Sequence, residues 1–219
     1  MGNHLISFDL ICFIVPFGLG SKVLKEAKKY GISGGTVVIG RGTYHKSWLH
    51  LFELGESRRE VLLMITPSSI VSDAMEALNE KFKLQKPNHG IAFTTRITSF
   101  LGSGNYDFHE INQIGENNMS KFLAIFTIVD KGRGESVVDA ATTVGAKGAT
   151  IINARGSGIH ETSKIFNMEI EPEKEIVLMI ARHEIVKDII ETICDFLEIS
   201  RPGNGIIFTQ DVKDTYGNL

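Results

Sequence analysis

The alternation of apolar and polar positions is clearest in the second half of the chain. "KFLAIFTIV" (121–129) is apolar at almost every position, the pattern of a strand covered on both faces. "GESVVDAATTVG" (134–145) sets Val137, Val138, Ala141 and Val144 near helical spacing, and "GATIINA" (148–154) returns to a strand. A polar stretch over 155–170 reads as a long loop. Beyond it, "EIVLMIA" (175–181) predicts a third strand, "EIVKDIIETICDFLEI" (184–199) an amphipathic helix and "GIIFT" (205–209) a fourth strand. The order is βαββαβ.

The first half repeats this pattern. At an offset of 114, Phe8, Ile11, Gly18, Gly20 and Val23 meet Phe122, Ile125, Gly132, Gly134 and Val137. Gly31, Gly34, Thr36, Arg41 and Gly42 meet Gly145, Gly148, Thr150, Arg155 and Gly156. One extra residue then shifts the offset to 115, so that "REVLLMI" (59–65) meets "KEIVLMI" (174–180) and "KPNHGIAFT" (86–94) meets "RPGNGIIFT" (201–209). A duplication covering nearly the whole chain predicts one structural unit made twice.

The physical solution to βαββαβ is an α+β, ferredoxin-like arrangement: an antiparallel four-stranded sheet with both helices on one face. Two tandem copies are expected, residues 5–100 and 120–217, joined by a polar Gly/Asn-rich linker at 101–119. The continuous apolar strands imply that the sheet faces left bare by the helices pack against other copies, in the same chain or in an oligomer.

Composition narrows the function. The chain has 219 residues, 42% hydrophobic and 22% charged, with a formal net charge of -3 and no basic stripe for a nucleic-acid backbone. "LICFIVPFGLG" (10–20) is too short, and too broken by Pro16, to span a bilayer, and the N-terminus lacks the basic region and cleavage site of a signal peptide. Cys12 and Cys194 lie in apolar runs without CxxC spacing, as small hydrophobes of a reducing compartment do. Cytoplasmic location follows as the expectation. Gly-rich turns beside a basic side chain let backbone N–H groups approach an anion; the same glycines also serve as plain tight turns.

Three features in order carry a resemblance: the strand entry "GAKGAT" (145–150), the loop base "RGSG" (155–158) and the turn "GNGIIF" (203–208). With them each half resembles the P-II signal-transduction family of nitrogen regulation. The resemblance implies a non-catalytic, cytoplasmic homo-oligomer, of three chains or a smaller pseudo-symmetric assembly, that regulates a transporter or metabolic enzyme through its long loop. It implies adenine nucleotides (ATP, ADP or AMP) with magnesium, often with 2-oxoglutarate, or another small anion, as effector. The ligand-binding residues carried over are Thr150, Arg155, Gly156, Gly158, His160, Gly203, Asn204 and Gly205, with a weaker first-copy set of Thr36, Arg41, Gly42, His89 and Gly90. No catalytic or metal-holding residue is carried over, and neither nucleic acid nor membrane insertion is expected.

The sequence departs from the family pattern in places. Ile206 stands where the family places a lysine, and the tail "QDVKDTYGNL" offers only Lys213 for the phosphate clamp. Tyr44 and "NHG" (88–90) replace family glycines in the first copy, which is either a scaffold or a site for another ligand, and the second loop has no tyrosine to modify. Two other classes stay open. His45, His50 and His160 in or near the long loops allow a metal-binding relative, and Arg133 in "DKGRGES" allows an acylphosphatase-like phosphate cradle. "ESRRE" (56–60) and "EPEKE" (171–175) read as solvated turns or a docking edge, and Trp48 as a loop anchor or loop packing.

Overall fold

The structure, a computed structural model, describes residues 7–43, 56–102, 109–110, 121–158, 163–165 and 168–215. Two compact units emerge: one spans Asp9–Thr95, and the other holds the residues from Arg96 onward together with Phe8.

The first unit runs β1 (Phe8–Pro16), α1 (Gly20–Ala27), β2 (Gly35–Thr43), β3 (Glu56–Pro67), α2 (Ser68–Phe82) and β4 (Ile91–Arg96). Its strands lie in the order β4-β1-β3-β2. Val23, Leu24 and Ala27 of α1 and Ala74 and Leu78 of α2 recur at helical spacing and pack on Ile11, Phe13, Val15, Leu62 and Met64 of the sheet. Lys81 of α2 reaches Glu26 of α1 at 2.7 Å, and Lys81 and Lys29 hold the Glu26 carboxyl below its usual value.

Short strands β5 (Ser99–Gly102) and β6 (His109–Glu110) follow. The second copy is β7 (Phe122–Asp130), α3 (Gly134–Thr143), β8 (Thr150–Ser157), β9 (Ser163–Ile165), β10 (Met168–Ile170), β11 (Glu173–Arg182), α4 (His183–Leu197) and β12 (Ile206–Val212). Its strand order, β8-β11-β7-β12, is that of the first copy. The apolar stripe Val186, Ile189, Ile190, Ile193 and Leu197 of α4, with Val137, Ala140 and Ala141 of α3, covers Leu123, Ile125, Val129, Val177 and Met179. Alternation turns Ile128, Ile176 and Phe208 to the opposite face, where they are buried as well. On that same face Ala124, Phe126 and Leu178 are only half-buried and Ile180 is exposed, so the burial that the continuous apolar strands imply holds in part.

Two parts of the sequence reading change. Residues 101, 102, 109 and 110, read as linker, are strand: β5 pairs with β12 from Ile206↔Gly102 to Thr209↔Ser99, and β6 pairs with β5. The chain leaves the first unit by Thr95 rather than at 100, because Thr98 N–H donates to Thr209 O at 2.7 Å and the Ser99 and Thr209 hydroxyls meet at 2.7 Å. The stretch 155–170, read as loop, begins as the end of β8 and contains the antiparallel pair β9–β10, with Met168 opposite Ile165 and Ile170 opposite Ser163.

One contact recurs in both copies. Glu60 of β3 accepts the Gly20 N–H at the start of α1 at 2.6 Å, and Glu175 of β11 accepts the Gly134 N–H at the start of α3 at 2.7 Å. A carboxylate at a helix N-terminus meets both an unsatisfied donor and the positive end of the helix dipole. An added Cβ would lie 2.7 Å from the carboxylate oxygen at either position, so a larger residue would push the carboxylate off the N–H. Gly20→Ala and Gly134→Ala should each cost about 1–3 kcal/mol in urea unfolding. Gly148→Ala, whose added Cβ meets nothing within 4 Å, should stay within about 0.5 kcal/mol of the parent.

Candidate functional site

The turn before the last strand is shaped by its glycines and by the middle residue. Gly203 (φ +90°) and Gly205 (φ +142°) occupy backbone conformations that side chains rarely adopt, and a Cβ on Gly205 would sit 2.6 Å from Ile128 O. Between them, the Asn204 amide donates to Leu197 O at 3.2 Å and Glu198 O at 3.0 Å, capping the C-terminus of α4. The Arg133 guanidinium donates to Leu197 O at 3.2 Å and Asn204 O at 3.5 Å. Arg133, which the sequence allows as a phosphate cradle, instead braces this turn with its charge directed at carbonyls.

The first copy is built the same way. His89 Nδ1 lies 2.9 Å from Phe82 O at the end of α2, and Gly90 (φ +116°) brings its Cα close to Ile14 O, 2.5 Å from where a Cβ would be. His89 and Asn204 thus share one structural task, with different side chains. Thr36 is buried in β2, and Arg41 and Gly42 lie near the end of that strand.

At the loop base of the second copy, Arg155 Nε donates to Glu171 Oε2 at 2.7 Å, with both side chains largely withdrawn from solvent, and Gly156 N–H donates to Pro172 O at 3.0 Å. Nearby ion pairs join Lys174 to Asp130 at 2.6 Å and Lys131 to Glu173 at 2.9 Å. The Glu173 carboxylate holds the Lys131 ammonium above its usual value. Gly158 follows β8 and is exposed. His160 and Glu161, like Tyr44, His45, Trp48 and His50, lie outside the described residues.

A cavity of about 410 Å³ opens at the other end of β8. Thr150 lines it together with Gly145 and Gly148 of the G-x-x-G-x-T entry, the apolar walls Leu178, Ile180 and Ile185, and the basic residues Lys147 and Arg182. The predicted site residues therefore fall in three places. Thr150 and Arg155 are five residues apart on one strand, about 16 Å. The loop base and the turn at 203–205 lie at one end of the sheet, with β11 and β7 between their strands, about 14 Å across. One copy alone does not gather them around one small molecule.

The sequence reading passed over Lys147, Arg182, Glu171 and the helix-capping Glu60 and Glu175. The last two had a signal, since both occupy the same column of the aligned strands "REVLLMI" and "KEIVLMI". Among the described residues no three His, Cys, Asp or Glu side chains converge as metal ligands, and no helix is long and apolar enough to cross a membrane.

Comparison with known proteins bears on residues 119–217, which match the family model of nitrogen regulatory protein P-II. Among solved structures, PII of Arabidopsis thaliana bound to citrate is 24% identical over 43% of this chain and 79% of that one, with a TM-score of 0.35. A GlnK–ATP complex of B. subtilis is 20% identical over 45% and 88% of the two chains, with a TM-score of 0.36. The ligand-free regulatory subunit of aspartate kinase from Thermus thermophilus is 13% identical over 87% and 92%, with a TM-score of 0.36. Curated proteins give no sequence match.

The two thiols lie outside these sites. Burial pushes the Cys12 thiol up to about 11, and burial with Asp195 and Glu191 pushes Cys194 up to about 12. At pH 8 only about one part in a thousand of Cys12 is then thiolate. A thiol-reactive disulfide reagent at pH 8 should label the native chain far more slowly than the urea-unfolded chain. The unfolded chain deprotonates first, near its ordinary value of about 8.5, so stability should fall as pH rises from there towards 11. Urea midpoints at pH 8 and pH 10 check this, with Cys12→Ala flattening the decline.

Proposed function

Taking residues 119–217 as a P-II-like domain, we propose that the chain is a non-catalytic effector sensor. It binds adenine nucleotide or another small anion and regulates an enzyme or transporter of nitrogen metabolism through the segment between β8 and β11. The observation that carries this reading is the cavity that the G-x-x-G-x-T entry itself lines, with Thr150 on its wall and Lys147 and Arg182 beside it. Its volume and its mixture of apolar walls with a few polar groups suit a small ligand. Leu178, Ile180 and Ile185 offer a surface to a purine ring, and the two cations complement phosphate. Magnesium would accompany the phosphates of a bound nucleotide.

Arg155 gives the reading its switch. An anion that engages this guanidinium competes with Glu171, and the Arg155–Glu171 pair joins the two ends of the 156–170 segment. A ligand with different affinities for the joined and released forms shifts their populations and so changes what a target meets. Because the three groups of site residues are spread across the sheet, more than one copy contributes to a complete site, which favours a homo-oligomer. The unpaired cysteines agree with work in the cytoplasm.

Calorimetric titration with ATP, ADP and AMP, each with and without magnesium and 2-oxoglutarate, tests the proposal. At least one nucleotide should saturate. Ile180→Trp, which fills the cavity, should weaken it tenfold or more, and Arg155→Ala should weaken it by about tenfold, near 1.4 kcal/mol. Both variants should keep the parent circular dichroism. Affinity unchanged in both would remove the cavity and the loop base from the ligand site.

A further inference from the structure

The two copies treat the outer edge of their last strand differently. In the second copy β12 is covered by β5, and Phe208 is 1% exposed. Phe208 stacks on Phe126 with ring centroids 4.7 Å apart and stands opposite Phe100, so three phenylalanines form a row across β7, β12 and β5. In the first copy β4 has β1 on one side and, among the described residues, no strand on the other. Ile91 and Phe93, which align with Ile206 and Phe208, are 60% and 45% exposed. They share one face of the strand, and Cys12 stands in the sequence column of Phe126.

Exposed strand edges are normally blunted by Lys, Glu, Pro or a bulge. "IAFTTR" (91–96) carries none of these between Ile91 and Thr95. The edge is also self-complementary. An antiparallel pairing of β4 with itself about a two-fold axis at Phe93 sets Phe93 opposite Phe93, Ala92 opposite Thr94 and Ile91 opposite Thr95, which keeps each pair on one face. Arg96 then stands opposite Gly90, so no like charges face each other. Aromatic and β-branched cross-strand pairs are among the most stabilising in sheets.

We propose that β4 is an interface between two copies of this chain, joined antiparallel at Phe93, so that the partner's strand does for the first copy what β5 does for the second. The pairing is independent of the effector reading, and its test uses no ligand. In full-length protein, Phe93→Lys and Phe93→Glu each place like charges directly opposite one another at the two-fold. Light scattering and sedimentation at tens of micromolar should give an even number of chains for the parent and half that mass for each variant, with circular dichroism unchanged. Mixing the two variants should restore the parent mass, because Lys then faces Glu. A variant that loses its circular dichroism is replaced by Ile91→Lys, which buries a lysine against Thr95 and should halve the mass likewise. A parent with an odd number of chains, a well-folded variant of parent mass, or a loss of mass that mixing does not restore would each overturn the proposal.

Discussion

Glu60 and Glu175 tie each first helix to the third strand of its sheet, and much else in each copy is arranged around that tie. Glu60 is 0% exposed. Burying a carboxylate is costly unless its oxygens find donors, and here the donor is the first free N–H of a helix, where the peptide dipoles also favour negative charge. A charged hydrogen bond of this kind is worth about 1.5–3 kcal/mol. It joins residues 40 or 41 positions apart, so it fixes where the helix starts relative to a strand not yet made when the helix is reached. Glycine at the helix start leaves the space that the carboxylate oxygen occupies.

Around this shared tie the copies have diverged in charge while keeping the backbone. The residue after the first strand donates its N–H to the same place on the third strand in both, Phe17 to Arg58 O at 3.3 Å and Lys131 to Glu173 O at 3.2 Å. Above that bond the first copy sets the Arg58 guanidinium over the Phe17 ring at 4.6 Å, and the second makes the Lys131–Glu173 ion pair. In register, Arg41 faces Arg58 in the first copy and Arg155 faces Glu173 in the second. The second loop base is therefore internally compensated: each of Arg155, Lys131 and Lys174 has an acidic neighbour. An anion arriving there meets cations already engaged, which favours a ligand able to displace a carboxylate over one attracted only by excess charge.

The fold was legible because its signals are periodic and doubled. Val186, Ile189, Ile190, Ile193 and Leu197 repeat at helical spacing, and the strands are apolar runs bounded by glycine, so helix and strand types followed from local pattern. What escaped was pairing between segments distant in sequence. "SFLG" (99–102) is too short to announce itself, and it becomes a strand only because β12 presents an open edge to it. The same limit applies to the site. Thr150 and the turn glycines could be picked out by motif, but the carboxylate of Glu171 beside Arg155 depends on how the β9–β10 pair brings the chain back. The cavity likewise draws Arg182 from a strand end with no motif of its own.

Strand β5 has a consequence for how such a gene is divided. The repeated stretch of sequence begins anew near residue 120, yet the second copy takes its edge strand from residues 99–102, upstream of the repeat. The stretch that recurs in the sequence and the segment that folds are thus not the same length. A second half excised at the boundary of sequence similarity would leave the Phe208 row one ring short and bare the hydrogen-bonding groups of β12. What looks like a tether between two equal modules is an integral part of one of them, and it makes the two halves of the gene unequal.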